Sequence, residues 1–355
     1  MENLIDRFGE GPLMLVAGLL VGLIFGAAGN HSRFCLRAAA VELAQGRLGD
    51  RLSIWLMAFG LAVTSVQTAI LTGVLDVSDA RQLASVGSMS GAIIGGLMFG
   101  CGMVLARGCA SRLLVLAATG NLRAIVTGLV LTLTAQAALS GVLAPARETL
   151  ARIWTVPGGS ERDLLHHLGL SQSVGVWSAA ALVAVALVMG LKQRVPLSEL
   201  GSSAVVGLSV ALGWVLTYAI ASASFEVVAI QSVTFTGPSA DTLMALVNER
   251  KPVLTFGLGL VPGVFLGSLS VAALKRQAHI QRFEPDTPME RYLVGGVLMG
   301  FGSMLAGGCA VGAGITGGSI FALTAWVAVF CMWVGAALTN FALASFAKAS
   351  SVPAE

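Results

Sequence analysis

Charged residues in this chain are separated by long apolar runs, and the runs set the predicted elements. Windows free of Asp, Glu, Lys and Arg lie near residues 12–30, 53–75, 87–106, 124–143, 172–191, 202–224 and 253–274. Each is close to the 20 or so residues that cross a bilayer as a helix. An eighth window, residues 292–347, holds 56 residues without one charge, too many for a single crossing. The glycine-rich stretch "AGGCAVGAGITGG" (Ala306 to Gly318) breaks it, because glycine runs do not sustain a helix. The pattern therefore predicts nine crossings, the last two near 292–306 and 319–345.

Composition agrees. The 355 residues are 56% hydrophobic and 11% charged, with mean hydropathy +0.85. A soluble domain carries about 25% charged residues, so water cannot coat this chain. The expected class is an all-α integral membrane protein. The first ten residues hold Glu2, Asp6 and Glu10 against Arg7 alone, unlike the basic start of a secretory leader. Residues 12–30 therefore read as a retained first span. With nine crossings, one set of loops carries seven basic residues and the other fourteen. The positive-inside rule then places the amino terminus outside, on the periplasmic side in a bacterium, and the carboxyl terminus in the cytoplasm.

The chain also repeats itself. "GGLMFGCGMVLARGCA" (Gly95 to Ala110) and "GGVLMGFGSMLAGGCA" (Gly295 to Ala310) share nine of sixteen positions, and both end in Gly-Cys-Ala. Residues 1–150 (spans 1–4) and 201–355 (spans 6–9) form two membrane repeats. A periplasmic loop and linking span 5, residues 151–200, join them. One linking span reverses the second half, so the expected fold has two inverted-topology repeats with short re-entrant half-helices, the plan on which many transporters build a midplane site.

The glycines admit two readings. Spaced by four, they let helix backbones approach closely in lipid. At Gly108-Cys109 and Gly308-Cys309 they also break helices, and a half-helix starting after such a break presents free N–H groups and a positive dipole end to an anion. No span holds a carboxylate, which favours an anion conduit over a cation path. A thiol is a weak, polarizable donor suited to a soft sulfur atom, so Cys109 and Cys309 point to a sulfur-bearing solute. Packing is the plain alternative. Cys35 follows span 1 between Arg33 and Arg37, which either activate it or simply anchor a cytoplasmic loop. Arg33, Arg107 and Arg112 are candidate anion-attracting groups; whether the last two face the conduit or the cytoplasm stays open. Cys101 and Cys331 read as packing residues. The polar stretch Phe225 to Leu243 reads either as a re-entrant or capping segment or as a surface loop.

Several classes find no support. The five cysteines form no CxxC pair, and His166-His167 reads as a solvated loop pair, so no metal or cofactor is expected. Nothing points to nucleic acid.

The segments "GLIFGAAGNHSRFCLRAA", "GGLMFGCGMVLARGCASRLL", "IQSVTFTGPSADTL" and "GGVLMGFGSMLAGGCAVGAGITG" together resemble the YeeE/YedE family of sulfur-compound transporters, over about residues 12–345. The resemblance implies a transporter rather than an enzyme, moving thiosulfate or a related sulfur anion across the inner membrane. It implies that Cys35, Cys109 and Cys309 hand the anion along by transient thiol contacts, and that a cytoplasmic sulfur-carrier protein receives it. Arg107 against Gly307 makes the two Gly-Cys copies unequal. Two alternatives remain: another substrate such as sulfite, sulfide or a selenium species, or a membrane sulfurtransferase forming a cysteine persulfide, with His31 and Arg33 as the groups that would activate Cys35.

Overall fold

Without water, an apolar segment must satisfy every backbone N–H and C=O internally, and a helix does so. In the computed structural model, which describes residues 2–248, 252–283 and 289–350, α1 (Glu2–Phe8) precedes α2 (Glu10–His31), α3 (Leu36–Ala44) and α4 (Asp50–Leu71). After α5 (Arg81–Ala84) and strand β1 (Gly87–Ser88) come α6 (Met89–Leu105), α7 (Ala110–Ala118), α8 (Leu122–Ser140) and α9 (Ala144–Arg152). Strand β2 (Thr155–Val156) pairs antiparallel with β1, Gly87 opposite Val156. Next are α10 (Leu164–His167), α11 (Gln172–Lys192) and α12 (Leu197–Ala221). The remainder is α13 (Thr236–Asn248), α14 (Phe256–Leu274), α15 (Met289–Leu305), a π-helical turn (Gly312–Gly317) and α16 (Leu323–Ser350).

Among the described residues, eight segments are long and apolar enough to cross a membrane. Two of them, Glu10–Ala44 and Met89–Ala118, join a long helix to a short one. At 17 residues, α15 falls just below that length. The protein is an all-α, multi-pass membrane protein. Arg250 and Lys251 of the loop-charge tally lie outside the described residues.

Close backbone approach assembles the bundle. Helices α2 and α14 run parallel, with Gly18, Gly22 and Gly26 against the backbone at Phe256, Leu260 and Val264. In return, Gly259, Gly263 and Gly267 meet Leu15, Leu19 and Leu23. A Cβ at any of these six would fall inside the partner's main chain, so no other residue fits. The repeated ladders pack likewise. Helices α6 and α15 cross antiparallel, with Gly95 against Gly302 and Gly102 against Gly295. The other two glycines of each ladder meet a second neighbour. Gly96 and Gly100 seat α16 at Ala328 and Met332, while Gly296 and Gly300 seat α8 at Thr127 and Leu131.

Residues 225–248 dip from the surface into the bundle core and return to the surface. Phe225 and Val227 are fully exposed, whereas Val233 and Phe235 are 0% and 1% exposed. Over ten residues the chain has moved from the surface to the core. A buried stretch without regular secondary structure must borrow hydrogen-bond partners. Thr217 Oγ1 donates to the Gln231 carbonyl (2.7 Å), Ser232 Oγ to Val210 (2.6 Å), and Thr316 Oγ1 to Val233 (2.5 Å). Helix α13 then leads back out to exposed Leu246 and Val247.

The long connection before α11 is tied down by buried Arg162. Its guanidinium donates to the carbonyls of Ser85 (2.8 Å) and Arg81 (3.3 Å) and to Thr324 Oγ1 (2.5 Å). Burial, helped by the Arg81 charge, pulls its pKa down to about 10. His167, in the same connection, lies 2.7 Å from the Glu161 carbonyl through Nε2.

Candidate substrate path

Three cysteines sit at one recurring backbone device. After α2, Arg33 adopts a left-handed conformation (φ 53°), and Cys35 begins α3 as its cap. After α6, Arg107 does the same (φ 53°), and Cys109 caps α7. After α15, Gly307 takes that place (φ 79°), two residues before Cys309. In the latter two, the closing bond runs from Gly108 N–H to the Met103 carbonyl (3.0 Å) and from Gly308 N–H to Ser303 (2.9 Å). This is the Schellman way of ending a helix, with the left-handed residue just past its end. The sequence revealed two of these breaks through their glycines. The third was hidden, because no glycine lies between Asn30 and Cys35; Arg33, like Arg107, holds the left-handed conformation at a cost of roughly 1–2 kcal/mol.

The first two breaks meet. Although 74 positions apart, the thiols of Cys35 and Cys109 are near neighbours. Cys109 is fully buried, with Ser111 Oγ 3.3 Å from its sulfur. Cys35 is 8% exposed. The charges facing Cys35 are the guanidiniums of Arg112 and Arg37. Arg37 is one of the two arginines that the sequence placed beside Cys35; the Cys109 thiol and Arg112 come from the distant break between α6 and α7. Two nine-residue helices, α3 and α7, begin at this thiol pair. Each offers free N–H groups and a positive dipole end.

The third break stands apart. Cys309 is fully buried, accepts from Gly312 N–H at 3.5 Å, and lies 3.9 Å from Thr234 Oγ1 on the stretch before α13. An aromatic bridge links this neighbourhood to the thiol pair. The Phe235 ring is 5.0 Å from that of Phe25, and Phe25 is 6.3 Å from Phe34, the residue before Cys35.

A cavity of about 400 Å³ opens beside Cys35. Cys35 lines it together with seven arginines: Arg33, Arg37, Arg51, Arg107, Arg112, Arg123 and Arg282. Asn121 and Gln281 complete its polar wall, their side chains joined at 2.7 Å, and no carboxylate is among its described lining residues. Arg33, Arg107 and Arg112 thus converge as a group. Arg37, Arg51, Arg123 and Arg282 join them from separate segments, a convergence that spacing along the chain does not signal. Such a concentration of positive charge draws small anions. Cys101 and Cys331 lie elsewhere. Cys101 Sγ contacts the Gly335 carbonyl at 3.6 Å, and Cys331 packs against Gly96 of α6.

Residues 31–338 match the family described as sulphur transport. The chain is 25% identical to the thiosulfate transporter TsuA of Escherichia coli (strain K12), over 91% of this chain and 92% of that one. It is 28% identical to the thiosulfate transporter TsuA of Spirochaeta thermophila, over 89% of this chain and 94% of that one. A match spanning most of the chain, on a bundle whose buried thiols border an arginine-lined cavity, shows that this protein belongs to the sulphur-transport family.

Proposed function

We propose that this protein takes up thiosulfate through a bacterial inner membrane, passing it from Cys309 to the Cys109–Cys35 pair and out through the arginine-lined cavity. The observation that carries this reading is the thiol pair itself. Two cysteines from distant segments are neighbours at two helix starts, and one of them lines a cavity walled by seven cations. The helix starts and guanidiniums offset the penalty of an anion in the membrane. The thiols offer weak S–H contacts to the soft terminal sulfur, so the anion passes without a covalent bond and the protein is not an enzyme. In this reading the amino terminus is periplasmic and the carboxyl terminus cytoplasmic. The reciprocal glycine contacts of α6 and α15 support two halves of inverted topology. The cavity mouth is where a cytoplasmic sulfur-carrier protein would collect the cargo.

The test is uptake of thiosulfate labelled in its outer sulfur into proteoliposomes. Cys35→Ser, Cys109→Ser and Cys309→Ser are expected to lose uptake by about tenfold or more, while Cys101→Ser and Cys331→Ser keep it. A wild type that takes up sulfite or sulfide instead would move the substrate. A persulfide mass on a cysteine would favour a sulfurtransferase.

A further inference from the structure

Thr236 is fully buried, yet its Oγ1 has no hydrogen-bond partner among the described residues. Its position is telling, because it opens α13 directly after the buried residues Val233 and Phe235. The Phe235 carbonyl accepts from Ser239 N–H, which leaves the Thr236 and Gly237 N–H groups as free donors of a 13-residue helix. Space adjoins them, since a Cβ built on Gly237 meets nothing within 4 Å. Two residues earlier, Thr234 Oγ1 lies 3.9 Å from Cys309 Sγ. Thr234 and Thr236 flank Phe235, whose ring is held by Phe25, so the unpartnered hydroxyl lies two positions along the chain from the threonine beside Cys309.

We propose that the start of α13, with the Thr236 hydroxyl and the free N–H groups beside it, is an oxyanion station. It holds the oxygen end of the transported sulfur anion while Thr234 and Cys309 flank the sulfur end. This inference rests on the transport reading and deepens it. Thiols alone distinguish soft sulfur from oxygen, but they do not orient a molecule carrying both. A hard donor set on one side and a thiol on the other receive thiosulfate in one orientation and leave sulfate with an unmatched end. Thr236 is then a specificity residue of the path, and its lone hydroxyl is the donor that the passing anion satisfies.

The test compares wild type with Thr236→Val, Thr236→Ser and Gly237→Leu in proteoliposomes, with the thermal midpoint of each variant measured in detergent. Thr236→Val is expected to raise the half-saturating thiosulfate concentration about tenfold, the worth of one hydrogen bond to a charged group. Thr236→Ser keeps the hydroxyl and stays within about twofold of wild type. Gly237→Leu extends into the open space and should impair uptake with little change in midpoint. Wild-type half-saturation in Thr236→Val, or equal impairment in Thr236→Val and Thr236→Ser, overturns the proposal. Anion-induced shifts of the midpoint separate the two levels of inference. If wild type transports no thiosulfate but sulfate or sulfite stabilises it and not Thr236→Val, the substrate reading fails and the station stands. If wild type transports and every variant matches it, the station fails alone.

Discussion

Replacing Gly95 by Ala tests whether backbone contact between α6 and α15 holds the two Gly-Cys breaks in place. A Cβ there would lie 2.5 Å from the Gly302 carbonyl oxygen and 2.6 Å from Ala306 N. Both are backbone atoms, so neither can rotate aside. Carbon contacts are comfortable from about 3.5 Å, and the helices must therefore part by roughly 1 Å. Overpacking of this kind costs about 1–3 kcal/mol. Against it stands the gain of about 0.5–1 kcal/mol that Ala brings to any helix interior. Gly128→Ala in α8 isolates that gain, because its Cβ would meet nothing within 4 Å. The two variants share the propensity term and differ by the overpacking alone. For a long chain 1 kcal/mol is worth about 2 °C in thermal midpoint, so Gly95→Ala should melt roughly 2–6 °C below Gly128→Ala. Uptake should follow, since α6 leads into Cys109 and α15 into Cys309, while Gly128→Ala transports normally. Coincident midpoints, or a more stable Gly95→Ala, would refute the claim that these backbones touch.

Three further outcomes are expected. Arg112→Gln should raise half-saturation severalfold and flatten its dependence on salt, whereas Arg194→Gln, a helix-end arginine outside the cavity lining, should do neither. A dithiol oxidant such as diamide should join Cys35 to Cys109 with a loss of about 2 Da, two thiol hydrogens, and block uptake until a thiol reverses it. Neither change should occur in Cys35→Ser. Arg276→Gly should gain about 1 kcal/mol of stability by relieving a left-handed arginine at the end of α14, with uptake unchanged.

Much of this protein was written in its sequence. Charge-free windows matched the long helices to within a few residues because a bilayer imposes both the length and the apolarity of a crossing. The breaks before Cys109 and Cys309 were legible from Gly108 and from the Gly307-Gly308 pair, although only Gly307 itself holds the left-handed conformation and Arg107 holds it before Cys109. The break before Cys35 was not legible, because Arg33 holds that conformation with no glycine between Asn30 and Cys35 to mark it. Sequence left Phe225 to Leu243 undecided, as burial of an irregular polar stretch depends on hydroxyls from α12 and the π-helical turn. Nor could spacing show that Cys35 neighbours Cys109, or that seven arginines from separate segments line one cavity. Bilayer length and backbone conformation are properties of a segment and its solvent, and the sequence determined them. Which thiols, hydroxyls and cations meet is a property of helix crossings, and only the tertiary structure decided that.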